Sequence, residues 1–321
     1  VVFAAPRRVV VQRVSVTPEP GEELVESRVI GISHGTELLA YRGELPSGLE
    51  SDETLSSLTG PLTYPLTYGY TNVGVAADGT RVFAFVPHQD YFACKPDDRI
   101  PLPDTVSDED GVFLPNMETA VGIVQDLRPV FGETVLVVGL GVVGLLVCEL
   151  LRRSGVYQVI ACDPIERRRS LAAQAGCVPL HPMEGAVERI AELTAGGGPD
   201  CAVNVSSNAD GLQLAIDTVA SEGTVVEASW YGSRTATLAL GSRFHRRRLT
   251  IRSSQVSHIN PDLTPRWTKL RRIEAALRLL SEVKPSRYVS HRIPLEEADQ
   301  AFRLIDGHPR EVVQVVLDPR A

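Results

Sequence analysis

The chain has no apolar run near the ~20 residues that a membrane-crossing helix needs, and no basic-then-apolar segment of the secretory type stands at its start. The expectation is a globular protein that works in water, in the cytoplasm and away from membranes. Cysteine is sparse. Cys94, Cys148, Cys162, Cys177 and Cys201 form no CxxC pair, and an odd, scattered set excludes a disulfide framework and fits reduced thiols. A basic excess is also missing: 32 Lys and Arg face 40 Asp and Glu, a net charge of −8. That removes the positive face that nucleic-acid binding requires. No internal repeat or low-complexity tract is evident.

What is present is an ordinary globular composition, 43% hydrophobic and 22% charged over 321 residues, long enough for two domains. The organising stretch reads VLVVGLGVVG. Val135, Leu136, Val137 and Val138 form a short apolar run of the kind that is buried on both faces of a sheet, and Gly139, Gly141 and Gly144 follow at GxGxxG spacing. The triplet alone is weak, but a helical run over 145–153 and a strand over 158–162 give it the right surroundings. Each glycine then has a physical role, with a sharp turn at Gly139, close approach of a pyrophosphate at Gly141 and tight helix packing at Gly144. Leu140, Val142 and Val143 complete a loop whose amides face phosphates at the positive end of the helix dipole. Asp163, 19 residues past Gly144, is placed to accept the ribose hydroxyls of an adenosine. Its charge favours NAD over NADP, although Arg167, Arg168 and Arg169 follow it.

In chain order, residues 1–104 read as strand-rich, with an apolar run at 24–32 and a hairpin of 72–77 and 81–86 about Asp78-Gly79, a strong turn signal. Residues 45–67 form a long Ser, Thr, Gly and Pro-rich loop, a candidate substrate lid. A helix over 116–127 enters a half in which strands (201–205, 224–228, 249–252) alternate with helices (165–175, 186–193, 211–219), the pattern of a doubly wound parallel sheet. Helices at 266–280 and 295–305 and a strand at 311–317 follow. That last strand has no place in the parallel sheet and should return to the first half.

The phrases VIGISHGTELLAYRG, PLTYGYTNVGVA, FLPNMETAVGIV and VLVVGLGVVG with CDPIERRR, in this order and spacing, resemble the medium-chain dehydrogenase/reductase superfamily over nearly the full chain. The resemblance implies an α/β fold: a GroES-like, β-rich catalytic domain at 1–117 and 262–321, a Rossmann domain inserted at 118–261, and an active site in the cleft between them. It also implies a homodimer paired through 249–254. Zinc-dependent members hold the metal on a Cys, a His and a further Cys. Here the first position is His34 or Ser33, depending on whether one counts from Gly43 or Gly31, the second is Tyr70 and the third is Pro115, and the four-cysteine structural lobe is missing. A catalytic zinc takes about three ligands from Cys, His, Asp or Glu, so no metal is expected. ISHGTE and NMETA look most like the branch containing bacteriochlorophyllide hydroxyethyl dehydrogenase.

Without zinc a side chain must act as acid or base. His34 is the first candidate because imidazole titrates near neutrality, with a loop hydrogen bond as its plain alternative. Tyr70 is the second, as a donor to a carbonyl oxygen, against simple aromatic packing. Thr36 falls where relatives keep a proton relay. Glu37 reads as a structural carboxylate bonded to backbone, and Glu118 as a buried acid or a helix cap. His88 shows no partner spacing. On the cofactor side, Arg168, Val205, Ser206, Ala228, Ser229 and Trp230 should border the adenosine, ribose and nicotinamide, since ligands of open α/β sheets bind at the carboxyl ends of strands. Trp230 with Tyr231 offers stacking for a bulky substrate, and Arg243, His245, Arg246, Arg247 and Arg248 form either a solvated connection or a subsite for an acidic group. The expected activity is NAD-dependent oxidation of a secondary alcohol of a sizeable metabolite, or the reverse. Its rivals are an enoyl or quinone reductase using NADPH and a nucleotide-binding regulatory protein without turnover.

Overall fold

β-Branched runs and helical periodicities alternate through the middle of the chain, and there a computed structural model, which describes residues 1–46, 62–183 and 185–321, shows a parallel sheet. The candidate lid at 45–67 falls mostly outside the described residues. Two compact units divide the chain: Val1–Pro115, Gly232–Arg234 and Leu277–Ala321 in the first, Asn116–Tyr231 and Thr235–Ala276 in the second.

In the order of the chain the first unit contains β1 (Val2–Ala5), β2 (Arg8–Val10), β3 (Glu23–Gly31), α1 (Thr36–Arg42), β4 (Asn72–Ala76), β5 (Arg81–Ala84), β6 (Tyr91–Cys94), β7 (Arg99–Pro101) and α2 (Asp108–Gly111). Helix α3 (Leu114–Leu127) leads out of it into β8 (Thr134–Val138), α4 (Val142–Arg153), β9 (Gln158–Cys162), α5 (Glu166–Gln174), β10 (Val178–Leu180), α6 (Ala186–Leu193), β11 (Cys201–Asn204), α7 (Ala209–Thr218), β12 (Thr224–Glu227), α8 (Arg243–Arg246) and β13 (Thr250–Ser253) of the second. Then come α9 (Lys269–Val283), β14 (Val289–Pro294), α10 (Ala298–Gly307) and β15 (Gln314–Asp318).

The second unit's sheet has the order β10-β9-β8-β11-β12-β13, every pairing parallel. Val135, Leu136 and Val137 on β8 have no exposed surface, which stabilises the strand by roughly 1.5–3 kcal/mol for each side chain and explains its unbroken apolar text. The chain order reverses between β8 and β11, and that switch point is where such sheets receive ligands.

The first unit carries a mixed sheet, β14-β15-β3-β4-β5-β7, with β6 also paired to β3. β4 and β5 are antiparallel about the expected turn, in which the Thr80 amide donates to the Asp78 carboxylate at 2.8 Å. The last strand does go home: β15 pairs antiparallel with β3. Phe3, Ile30, Phe302 and Leu317 are fully buried in its core, with Tyr41 stacked on Phe302 at 5.5 Å. An α/β fold with one parallel and one mixed sheet is thus what the chain adopts.

Three details differ from the sequence reading. β10 and β14 are not expected from it, because Val178–Leu180 and Val289–Pro294 each contain a proline and neither alternates cleanly. α9 starts at Lys269, not 266, because the preceding residues fold as turns. Residues 262–276 pack with the second unit and not the first, since Arg272 on α9 is buried against Glu118 and the carbonyls of Val256 and His258.

Candidate dinucleotide and acid–base sites

Past Val138 the chain must turn within one residue to start α4, and Gly139 does so at φ 94°, a conformation that costs side-chain-bearing residues strain. A β-carbon there would stand 2.7 Å from the Ser206 backbone, and one at Gly144 would stand 1.9 Å from the Gly139 carbonyl oxygen. Both glycines are therefore required by the protein's own packing. Gly141 is different. Its φ of −65° and ψ of −176° suit any residue, and a β-carbon added to it meets nothing within 4 Å. Neither conformation nor packing asks for a glycine there, so open space stands in front of the helix end. No side chain caps α4, and the amides of Val142, Val143 and Gly144 belong to the first turn, whose donors have no partner inside a helix.

Asp163 follows β9 and is 4% exposed. Its Oδ2 accepts from the Leu140 amide at 2.8 Å and its Oδ1 from the Ile165 amide at 2.8 Å. A carboxylate has about four acceptor sites, so two remain for ribose hydroxyls. The Arg168 guanidinium lies 3.9 Å from Asp163 Oδ2. Burial lowers the pKa of Arg168 while Asp163 opposes the shift.

At the neighbouring strand ends the structure joins residues the sequence reading named with two that it missed. Ser206 donates from Oγ to Asn204 Oδ1 at 2.7 Å, and the Ser207 amide donates to Ser229 Oγ at 3.0 Å. Asn204, fully buried on β11, donates through Nδ2 to Glu227 at 2.6 Å. The Ala228 amide donates to the Asn204 carbonyl at 3.0 Å. Val205 packs at this turn too, with a methyl group 3.1 Å from the position of a Gly144 β-carbon, and Trp230 is exposed. The overlooked signal was a charged residue ending the apolar run of β12. Arg243 and Arg247 line a cavity with Asp217, and burial and the neighbouring Arg247 lower the pKa of Arg243 while Asp217 opposes the shift.

In the first unit α1 and the segment before β4 bring hydroxyl groups together. The Tyr70 hydroxyl donates to Ser33 Oγ at 2.6 Å and also bonds the Thr36 side chain. Burial, and next the Glu37 carboxylate, push the phenol up to about 12, against the two hydroxyl partners that pull it down. Tyr70 is consequently protonated, and a donor, throughout the neutral range. His34 Nε2 accepts from the Val315 amide across a long 3.4 Å.

One expectation needs correcting, and one open choice is decided. Glu37 is not bonded to backbone: fully buried, it meets His88 Nε2 at 2.6 Å through Oε2, so His88 does have a partner. Sequence spacing cannot show this, because 51 residues separate them. The His88 ring in turn sits against Gly69, where φ is 123° and a β-carbon would come within 2.7 Å of it, so a glycine is required beside Tyr70. Of the two readings of Glu118 the buried acid is the one seen: it is 2% exposed and caps no helix, since α3 begins at Leu114. It pairs with Arg272 at 2.9 and 3.1 Å, and burial raises its pKa although Arg272 pulls the other way. Among the described residues no group of three His, Cys, Asp or Glu is placed to hold a metal ion.

A parallel sheet entered through a glycine turn, together with a mixed sheet, is the architecture of the alcohol dehydrogenases. Residues 142–273 match the family model described as "Zinc-binding dehydrogenase". An uncharacterized zinc-type alcohol dehydrogenase-like protein of Escherichia coli is 32% identical over 224 residues, 68% of this chain and 60% of that protein. The D-guloside 3-dehydrogenase of the same organism is 28% identical over 220 residues, 67% of this chain and 63% of the relative. The matches thus span about 60% of the length of these relatives. Among solved structures, an alcohol dehydrogenase from a Thermus species is 25% identical with a TM-score of 0.78, covering 99% of both chains. Two more share the fold: a short chain alcohol dehydrogenase of Escherichia coli complexed with NADH (TM-score 0.78, 18% identity, 99% and 98% of the chains) and a putative zinc-binding dehydrogenase of Sinorhizobium meliloti bound to NADP (0.78, 22%, 99% and 98%). Over these spans the chain is similar to zinc-type alcohol dehydrogenases, and it shares their fold.

Proposed function

We propose that this protein is an NAD-dependent dehydrogenase, working without a catalytic zinc in a reducing compartment on a secondary alcohol of a bulky metabolite or on the matching ketone. The observation that carries the dinucleotide is Gly141, a glycine required neither by its backbone angles nor by any protein neighbour; a ligand's approach explains it. Asp163, with acceptor sites left over, supports NAD over NADP.

The residues at the metal positions of zinc-dependent relatives do not fit a zinc. Of His34, Tyr70 and Pro115 only the imidazole is a ligand type, and the Tyr70 proton is directed at Ser33. Bound NAD would supply the hydride acceptor. The chain's own residues handle the proton: in ketone reduction Tyr70 gives its phenol proton to the substrate oxygen and is reprotonated through Thr36, and in alcohol oxidation the substrate proton moves to Tyr70 as the phenol's own proton leaves through Thr36. His34 ranks behind Tyr70, because its Nε2 already accepts from a backbone amide.

Oxidation of a panel of secondary alcohols, followed by the appearance of NADH, tests the reading. NAD should be preferred over NADP by about tenfold or more, and one zinc per chain by elemental analysis would overturn the metal-free assignment. Arg168, within 3.9 Å of the Asp163 carboxylate, favours the second reading, an enoyl or quinone reductase on NADPH, which a C=C reduction assay decides. Binding of NAD without turnover on either panel would indicate a regulatory protein.

A further inference from the structure

We infer that Glu227 biases the protein toward the oxidised cofactor, by placing an unneutralised carboxylate at the nicotinamide end of the groove. The inference rests on the dinucleotide reading above and assigns a role to a residue outside the glycine pattern.

The order of the sheet orients the ligand. Asp163, after β9, lies on one side of the glycine turn that follows β8, while β11 and β12 lie on the other. With the adenosine ribose on Asp163 and the pyrophosphate on the turn, the nicotinamide riboside is left the ends of β11 and β12. Neighbouring strands are about 4.8 Å apart, so the end of β12 is about 10 Å from the turn, within reach of a riboside and its ring.

Glu227 is the last residue of β12. Its Oε2 accepts from Asn204 Nδ2 at 2.6 Å and from the Tyr231 hydroxyl at 3.2 Å, and its Oε1 from the Ser229 amide at 2.7 Å. All three donors are neutral, and among the described residues no cation pairs with it. Neutral donors bond the carboxylate without bringing a positive charge to cancel its own. The arrangement is also stiff. Asn204 is fully buried, it is bonded to Ser206, and a β-carbon on Gly211 would stand 2.5 Å from Ser206 Oγ.

The nicotinamide ring carries a positive charge when oxidised and none when reduced. A fixed negative charge near it therefore stabilises one form and is indifferent to the other. Tighter binding of the oxidised form lowers the reduction potential of the bound couple, which leaves the cofactor a weaker hydride acceptor but raises its occupancy before an alcohol arrives.

The test uses the full chain, with NADH affinity read from its fluorescence and NAD affinity from displacement. Glu227→Gln should weaken NAD by about tenfold and change NADH by less than about twofold. Tyr231→Phe, which withdraws one donor and leaves the charge less shielded, should move the ratio the other way by about twofold, and it decides the matter alone should the first variant not fold. An unchanged ratio, or equal weakening of both forms, overturns the inference while leaving the dinucleotide reading intact. A native chain that binds neither form overturns both.

Discussion

The two sheets present their chemistry in different ways. In the parallel sheet the proposed site is largely backbone: amides of a turn and a helix end, with Gly141 leaving room for a ligand. In the mixed sheet it is side chain: Tyr70 on Ser33 and Thr36, with Glu37 and His88 behind them. A backbone site restricts consecutive residues, so it leaves a pattern. A side-chain site restricts residues brought together only by folding, and so leaves almost none.

The largest effects should separate glycines that serve the protein from the one that serves a ligand. Gly144→Ala drives a β-carbon into a backbone carbonyl and should cost about 3 kcal/mol or more, read as a lowered Tm. Gly141→Ala should leave the Tm within what about 0.5 kcal/mol implies, yet weaken NADH binding by about tenfold or more. Equal stability losses in the two variants would erase the distinction.

Next in size, Tyr70→Phe should lower turnover by ~100-fold while costing only about 1 kcal/mol of stability. A change below about threefold clears Tyr70 of the acid–base role and returns His34 to first place.

The smallest effect concerns pH. Burial raises the Glu118 carboxyl above its ordinary value despite Arg272. In the folded chain it binds a proton more readily than in the unfolded chain, so its contribution to stability is full below the ordinary carboxyl range and is lost as pH rises through the raised value. Replacement by Gln should flatten the Tm profile across that window, and a profile of unaltered slope counts against it.

The sequence made the turn after β8 legible, because it is written in contiguous residues, and the homeward run of β15, because that strand had no place in the parallel sheet. It hid the Glu37–His88 contact, where neither residue type nor spacing betrays the partner, and it left Glu118 open between a buried acid and a helix cap, since FLPNMET carries no capping signal that fixes where α3 begins. Glu227 was passed over for a related reason: a charge at the end of an apolar strand looks like the start of a loop until Asn204, Ser229 and Tyr231 are seen to converge on it.

Helix α9 has its first half in one compact unit and its second half in the other. Anyone wishing to isolate the parallel sheet by cutting after residue 261 would discard Arg272 and leave the Glu118 carboxylate buried without its cation, a loss of about 3–5 kcal/mol when one member of such a pair is removed. The excision has to carry residues through 276, so at this end the division between the units falls inside a helix.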